Sequence, residues 1–116
     1  MVCAAEELPP GQMIATRLGR LPVVVVRDLD GTLHALQDRC LHQGARLSGG
    51  RLLRATHGQH PGEYVEDQGQ LVVKCPWHGY EYDVRTGCTL FDRRLRVRRL
   101  AVREERGVIV VARSRE

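Results

Sequence analysis

Lysine is almost absent from this 116-residue chain: Lys74 is the only one among 18 lysine and arginine residues. Aromatic residues are scarce as well, at 4%, which leaves little to stack on single-stranded bases. No apolar run approaches the ~20 residues that cross a bilayer. The start, MVCAAEELPPGQ, lacks the basic and apolar stretches of a cleaved export signal. No membrane association is expected, and a cytoplasmic location is. No window repeats apolar residues at helical spacing, so helices are not expected either. At 116 residues the chain is the size of one domain, spanning 1–116. It has room for a cofactor but hardly for a substrate domain as well.

The net charge is +4, which raises nucleic-acid binding as a possibility. The distribution argues against it. Residues 93–116 hold nine arginines against three glutamates, and the first 92 residues are net acidic. The block RRLRVRR at 93–99 is read as a solvated strand face, and no nucleic-acid partner is expected.

What remains is short, β-branched and punctuated by turns. VVVVRDLDGTLHAL reads as two strands joined at Asp28–Gly31. Further strands are expected at Gln12–Thr16, Leu71–Lys74, Glu81–Val84, Leu100–Arg103 and Val108–Ala112, the last two as a closing hairpin. Three segments read as loops: Cys40–Arg51, the polar Ala55–Gln70, and Cys75–Tyr80. The chain is therefore expected to be all-β, a sandwich or a barrel.

There are four cysteines and five histidines. Without an export signal, a disulfide framework is a poor reading, and reduced thiols are available for metal. Cys40-x-His42 and Cys75-x-x-His78 are two short pairs separated by 32 residues. Each places a sulfur and an imidazole in a loop, followed by Gly44 or Gly79, where a glycine lets the backbone turn tightly. Two Cys and two His suit an iron–sulfur cluster, zinc or copper. A lone cysteine is usually a small buried hydrophobe, but two such pairs are hard to explain that way. Cys3 is expected to lie in a frayed terminus and Cys88 to be a small buried residue. His34 reads as an ordinary strand side chain, and His57 and His60 as part of a solvated loop.

C-L-H-Q-G-A at 40–45 and C-P-W-H-G-Y at 75–80 resemble the two cluster loops of Rieske iron–sulfur domains. The flanks agree too: Ala35–Arg39 before the first loop, Leu47-Ser48-x-Gly50 after it, and Tyr82–Gly87 after the second. The resemblance implies a Rieske fold, a basal antiparallel β-sandwich carrying a subdomain of cluster-binding loops at about 38–92. It implies one 2Fe–2S cluster, with Cys40 and Cys75 on the inner iron and His42 and His78 on the outer. Two neutral imidazoles in place of two thiolates make such a cluster easier to reduce.

Two departures refine the likeness. Ala45 and Trp77 stand where Rieske proteins of respiratory complexes carry a disulfide, and Tyr80 stands where they carry serine. The chain thus resembles the soluble ferredoxin and oxygenase branch. Without those two features, hydrogen bonding to the sulfurs is expected to be reduced and the potential to lie low in the Rieske range. The second departure is the long spacing between the loops, read as an insertion at about 55–70.

By resemblance the chain is expected to be a ferredoxin rather than an enzyme. It would pass single electrons from a flavin-dependent ferredoxin reductase to a terminal acceptor such as a non-haem iron oxygenase. Two alternatives are weighed beside it: a zinc-binding structural or interaction module using the same two Cys and two His, and a subunit-type module docking in a larger reductase.

Overall fold

The computed structural model describes residues 2–41, 44–57, 65–76 and 79–113. Its strands are β1 (Cys3–Ala4), β2 (Gln12–Leu18), β3 (Leu21–Arg27), β4 (Leu33–Gln37), β5 (Arg51–His57), β6 (Val65–Lys74), β7 (Glu81–Asp83), β8 (Arg99–Glu105) and β9 (Val108–Ala112). Two short 3₁₀ turns lie at Ala5–Glu7 and Leu47–Gly49. Among the described residues no helix is long and apolar enough to cross a membrane.

The strands form two antiparallel sheets. One has six strands in the order β1-β9-β8-β4-β3-β2, and the other has three in the order β5-β6-β7. The all-β reading holds, and the larger sheet is the base. The turn at Asp28–Gly31 forms as expected, closed by the Gly31 amide on the Asp28 carbonyl at 3.0 Å.

The run Val23–Val26 explains how two layers share one chain. All four side chains are fully buried, because β3 is covered on both faces and successive side chains point to opposite sides. Val23 and Val25 enter a basal core with Leu8, Ala35, Leu100 and Ile109. Val24 and Val26 enter a second core with Leu36, Leu71, Val73, Tyr82 and Val97, and Cys40 and Cys75 belong to that same core. The cysteine loops are thus anchored on the base by one face of β3.

Three expectations are corrected. The polar segment Ala55–Gln70 is not wholly a loop: residues 55–57 complete β5 and 65–70 begin β6, paired through Thr56–Glu66 and His57–Val65 after a register shift at Arg54/Thr56. Ladder pairing uses main-chain groups, so a polar sequence can sustain it. The tip at 58–64, with His60, lies outside the described residues. The arginine block is not a strand face: β8 starts only at Arg99, and 93–98 follow a folded-back loop described below. Cys3 is not frayed, because β1 pairs Cys3 with Ile109 and buries the thiol.

Candidate metal centre

The two cysteine loops are built alike. The Cys40 amide donates to the Ala45 carbonyl at 2.7 Å, and the Cys75 amide donates to the Tyr80 carbonyl at 2.7 Å. Each bond spans five residues. The fourth residue after each cysteine is a glycine at positive φ, Gly44 at 73° and Gly79 at 72°. A side chain is strained in that region, so both glycines are needed for the shared turn. Both cysteines are buried, at 1% and 2% exposure, and none of the four cysteines forms a disulfide.

Buried Asp38 holds the first loop shut. Its carboxylate accepts the Ser48 amide at 2.7 Å and the Ser48 hydroxyl at 2.6 Å. Its own amide donates to the Pro22 carbonyl at 2.9 Å, which ties the loop to the base.

Tyr82, on β7 directly after the second loop, braces the first. Its hydroxyl accepts the Leu41 amide at 2.9 Å and lies 3.2 Å from Cys40 Sγ. With its oxygen accepting from Leu41, its proton is available to the sulfur. Burial and the bond to Cys40 push the tyrosine pKa well above its ordinary value, with Cys75 adding to the same effect. This sulfur hydrogen bond was not foreseen in the sequence, where only the serine position, Tyr80, was considered. A tyrosine in a buried strand needs a partner for its hydroxyl, and that was the available signal. Tyr80 instead packs its ring edge-on against Phe91, with centroids 4.9 Å apart.

Of the four expected ligands, the structure brings Cys40 and Cys75 into one core. His42 and His78 lie outside the described residues, as does Trp77. Among the described residues no three potential metal ligands converge. Cys3 and Cys88 are buried and belong to neither cysteine loop.

Residues 1–101 match the Rieske [2Fe-2S] domain family. The chain belongs to that family. A Rieske domain carries a 2Fe–2S cluster, and the buried thiols, the paired glycine turns and the hydroxyl within hydrogen-bond reach of Cys40 Sγ suit one. Among the relatives is the 3-phenylpropionate/cinnamic acid dioxygenase ferredoxin subunit of Photorhabdus laumondii. It is 34% identical over 89 residues, 77% of this chain and 69% of that protein. Human Apoptosis-inducing factor 3 is 36% identical over 86 residues, 74% of this chain. The match takes in only 11% of the human protein, so this Rieske domain spans about a tenth of it. The solved ferredoxin of carbazole 1,9a-dioxygenase from Nocardioides aromaticivorans superposes with a TM-score of 0.73 at 30% identity, over 97% of this chain and 95% of that one.

Proposed function

We propose that this Rieske protein is a cytoplasmic ferredoxin, an electron carrier and not itself an enzyme. It takes single electrons from a flavin-dependent ferredoxin reductase and delivers them to a terminal acceptor, a non-haem iron oxygenase. Cys40, His42, Cys75 and His78 hold its one cluster, which when bound accepts and releases one electron. The observation that carries the reading is the pair of matching cysteine turns meeting in one buried core under Tyr82, in a chain similar to two dioxygenase ferredoxins.

The protein's own residues do the rest. Gly44 and Gly79 keep the two turns tight, and Asp38 with Ser48 closes the first. The apolar core beneath, with Leu47, Val73 and Val84, keeps water from the thiols. The two ferredoxin relatives favour iron–sulfur chemistry over the zinc module.

The test is the visible and electron-paramagnetic-resonance spectrum of purified protein. A red-brown protein with a low-average-g signal after reduction supports the reading. A colourless protein holding zinc overturns it. For the acceptor, reconstitution with a purified flavin reductase and an oxygenase of the same organism should give product only when this protein is added.

A further inference from the structure

We infer that residues 90–98 form a docking face for a redox partner whose own face is acidic around an apolar hollow. The inference rests on the carrier reading and specifies the chemistry of its partner.

The segment is a folded-back turn with its backbone tied down. The Thr89 amide donates to the Leu95 carbonyl at 2.8 Å, and the Leu95 amide to the Asp92 carbonyl at 3.0 Å. The Leu90 amide donates to the Glu81 carbonyl at 3.0 Å, fixing the turn to β7. Despite this order it holds most of the exposed large apolar side chains among the described residues: Phe91 at 62%, Leu95 at 40% and Leu90 at 36%. Phe91 is the only phenylalanine in the chain. An aromatic held rigid at the surface loses little entropy on binding and suits the centre of an interface.

Its place in the fold suits electron exchange. Phe91 packs on Tyr80, and the Tyr80 carbonyl receives the Cys75 amide. A partner covering Phe91 therefore sits beside the second cysteine loop.

The charge of the segment is mainly positive, four arginines against Asp92. Arg93, Arg94, Arg96 and Arg98 are exposed. Arg94 is engaged by Asp92 at 3.1 Å, an exposed pair of little strength. Arg93, Arg96 and Arg98 have no acidic partner among the described residues. Glu81 and Lys74, adjacent across β7 and β6, offset each other. Charge complementarity thus calls for carboxylates on the partner, and the exposed Phe91 calls for an apolar hollow among them. The sequence alone reads these arginines as part of a solvated strand face. Arg93 and Arg94 lie on the turn whose Phe91 packs on Tyr80, and Arg96 and Arg98 follow it, the Arg98 carbonyl accepting the Gln37 amide at the end of β4 at 2.8 Å.

Voltammetry of the intact holoprotein on gold tests this with defined surfaces. The films carry carboxylate-terminated thiols, a carboxylate and methyl mixture, or ammonium-terminated thiols. Electron transfer is expected to be faster on carboxylate than on ammonium by about tenfold or more at low salt, and fastest on the mixture. Arg93→Glu/Arg96→Glu/Arg98→Glu should invert the order, and Phe91→Ser should remove only the advantage of the mixture. Reversing Arg103 and Arg106, at the β8–β9 hairpin, should change neither. Each variant is read on protein that retains its cluster spectrum. An unchanged order in the triple variant overturns the inference, as does equal sensitivity to the hairpin reversal. Sedimentation showing a dimer that Phe91→Ser dissociates overturns it too, since the face is then a self-contact. A wild type without cluster colour overturns the carrier reading, and this inference with it.

Discussion

The Tyr82 hydroxyl lies 3.2 Å from Cys40 Sγ while accepting the Leu41 amide at 2.9 Å. A residue that follows the second loop thus braces the first. The bond also bears on the electron. A hydrogen bond to sulfur stabilises the more negative, reduced state and raises the potential. Tyr82→Phe keeps the ring and removes the bond. It is expected to keep the cluster colour and lower the potential, by about 40 mV for each kcal/mol by which the bond favours the reduced state. Direct voltammetry checks this; an unchanged potential would show that the hydroxyl proton is turned elsewhere.

The proposed ligands should be jointly required, because a metal site and its loops form together. Cys40→Ser, His42→Ala, Cys75→Ser and His78→Ala are each expected to abolish the native spectrum. Cys3→Ser and Cys88→Ser place a hydroxyl in buried sites, at a cost of about 1–3 kcal/mol each, yet should keep the colour. Full colour in Cys75→Ser would end the ligand assignment.

What was legible in the chain follows its physics. The β3–β4 hairpin could be read because four valines abut a turn of Asp and Gly. The two cysteine loops could be read because the chemistry confines itself to short spacings. The arms of β5 and β6 could not, because their polar residues pair by main-chain bonds that leave no apolar alternation. The arginine loop was misread because a run of charge carries no period, and Val97 alone turns inward within it. The Asp38–Ser48 and Tyr82–Cys40 contacts join residues 10 and 42 apart, and no local pattern announces them.

Adjacent glycines after the first loop should respond differently to alanine. A Cβ at Gly50 would overlap the Lys74 carbonyl oxygen, a backbone atom next to Cys75. A Cβ at Gly49 would meet only the Pro76 ring, at an ordinary 4.0 Å. Gly50→Ala is expected to cost about 1–3 kcal/mol or more by overpacking and to reduce cluster incorporation. Gly49→Ala should stay near wild type in both. Iron content per chain and the thermal midpoint measure the pair, and equal behaviour would remove the argument from close approach.

Stability should fall in mild acid through His34. Its Nε2 is buried without a hydrogen bond and lies 3.4 Å from Asp28 Oδ2. Arg85 reaches the same oxygen at 3.0 Å, so that carboxylate is already engaged. Burial lowers the His34 pKa below its ordinary value, outweighing the attraction of Asp28, and Arg99 and Arg85 push the same way. The unfolded chain takes up its proton near pH 6.5, whereas the folded chain takes it up only at lower pH. Between those two points the unfolded state binds more protons, so stability rises with pH. His34 therefore contributes fully above about pH 6.5, and that contribution is lost as pH falls towards the folded value. The slope can reach no more than ~1.4 kcal/mol per pH unit, the limit for one proton. Urea unfolding from neutral to mildly acidic pH, on wild type and His34→Gln, isolates the effect from the carboxylates. Wild type should lose more stability on acidification than His34→Gln, and parallel profiles would show that His34 titrates alike in both states.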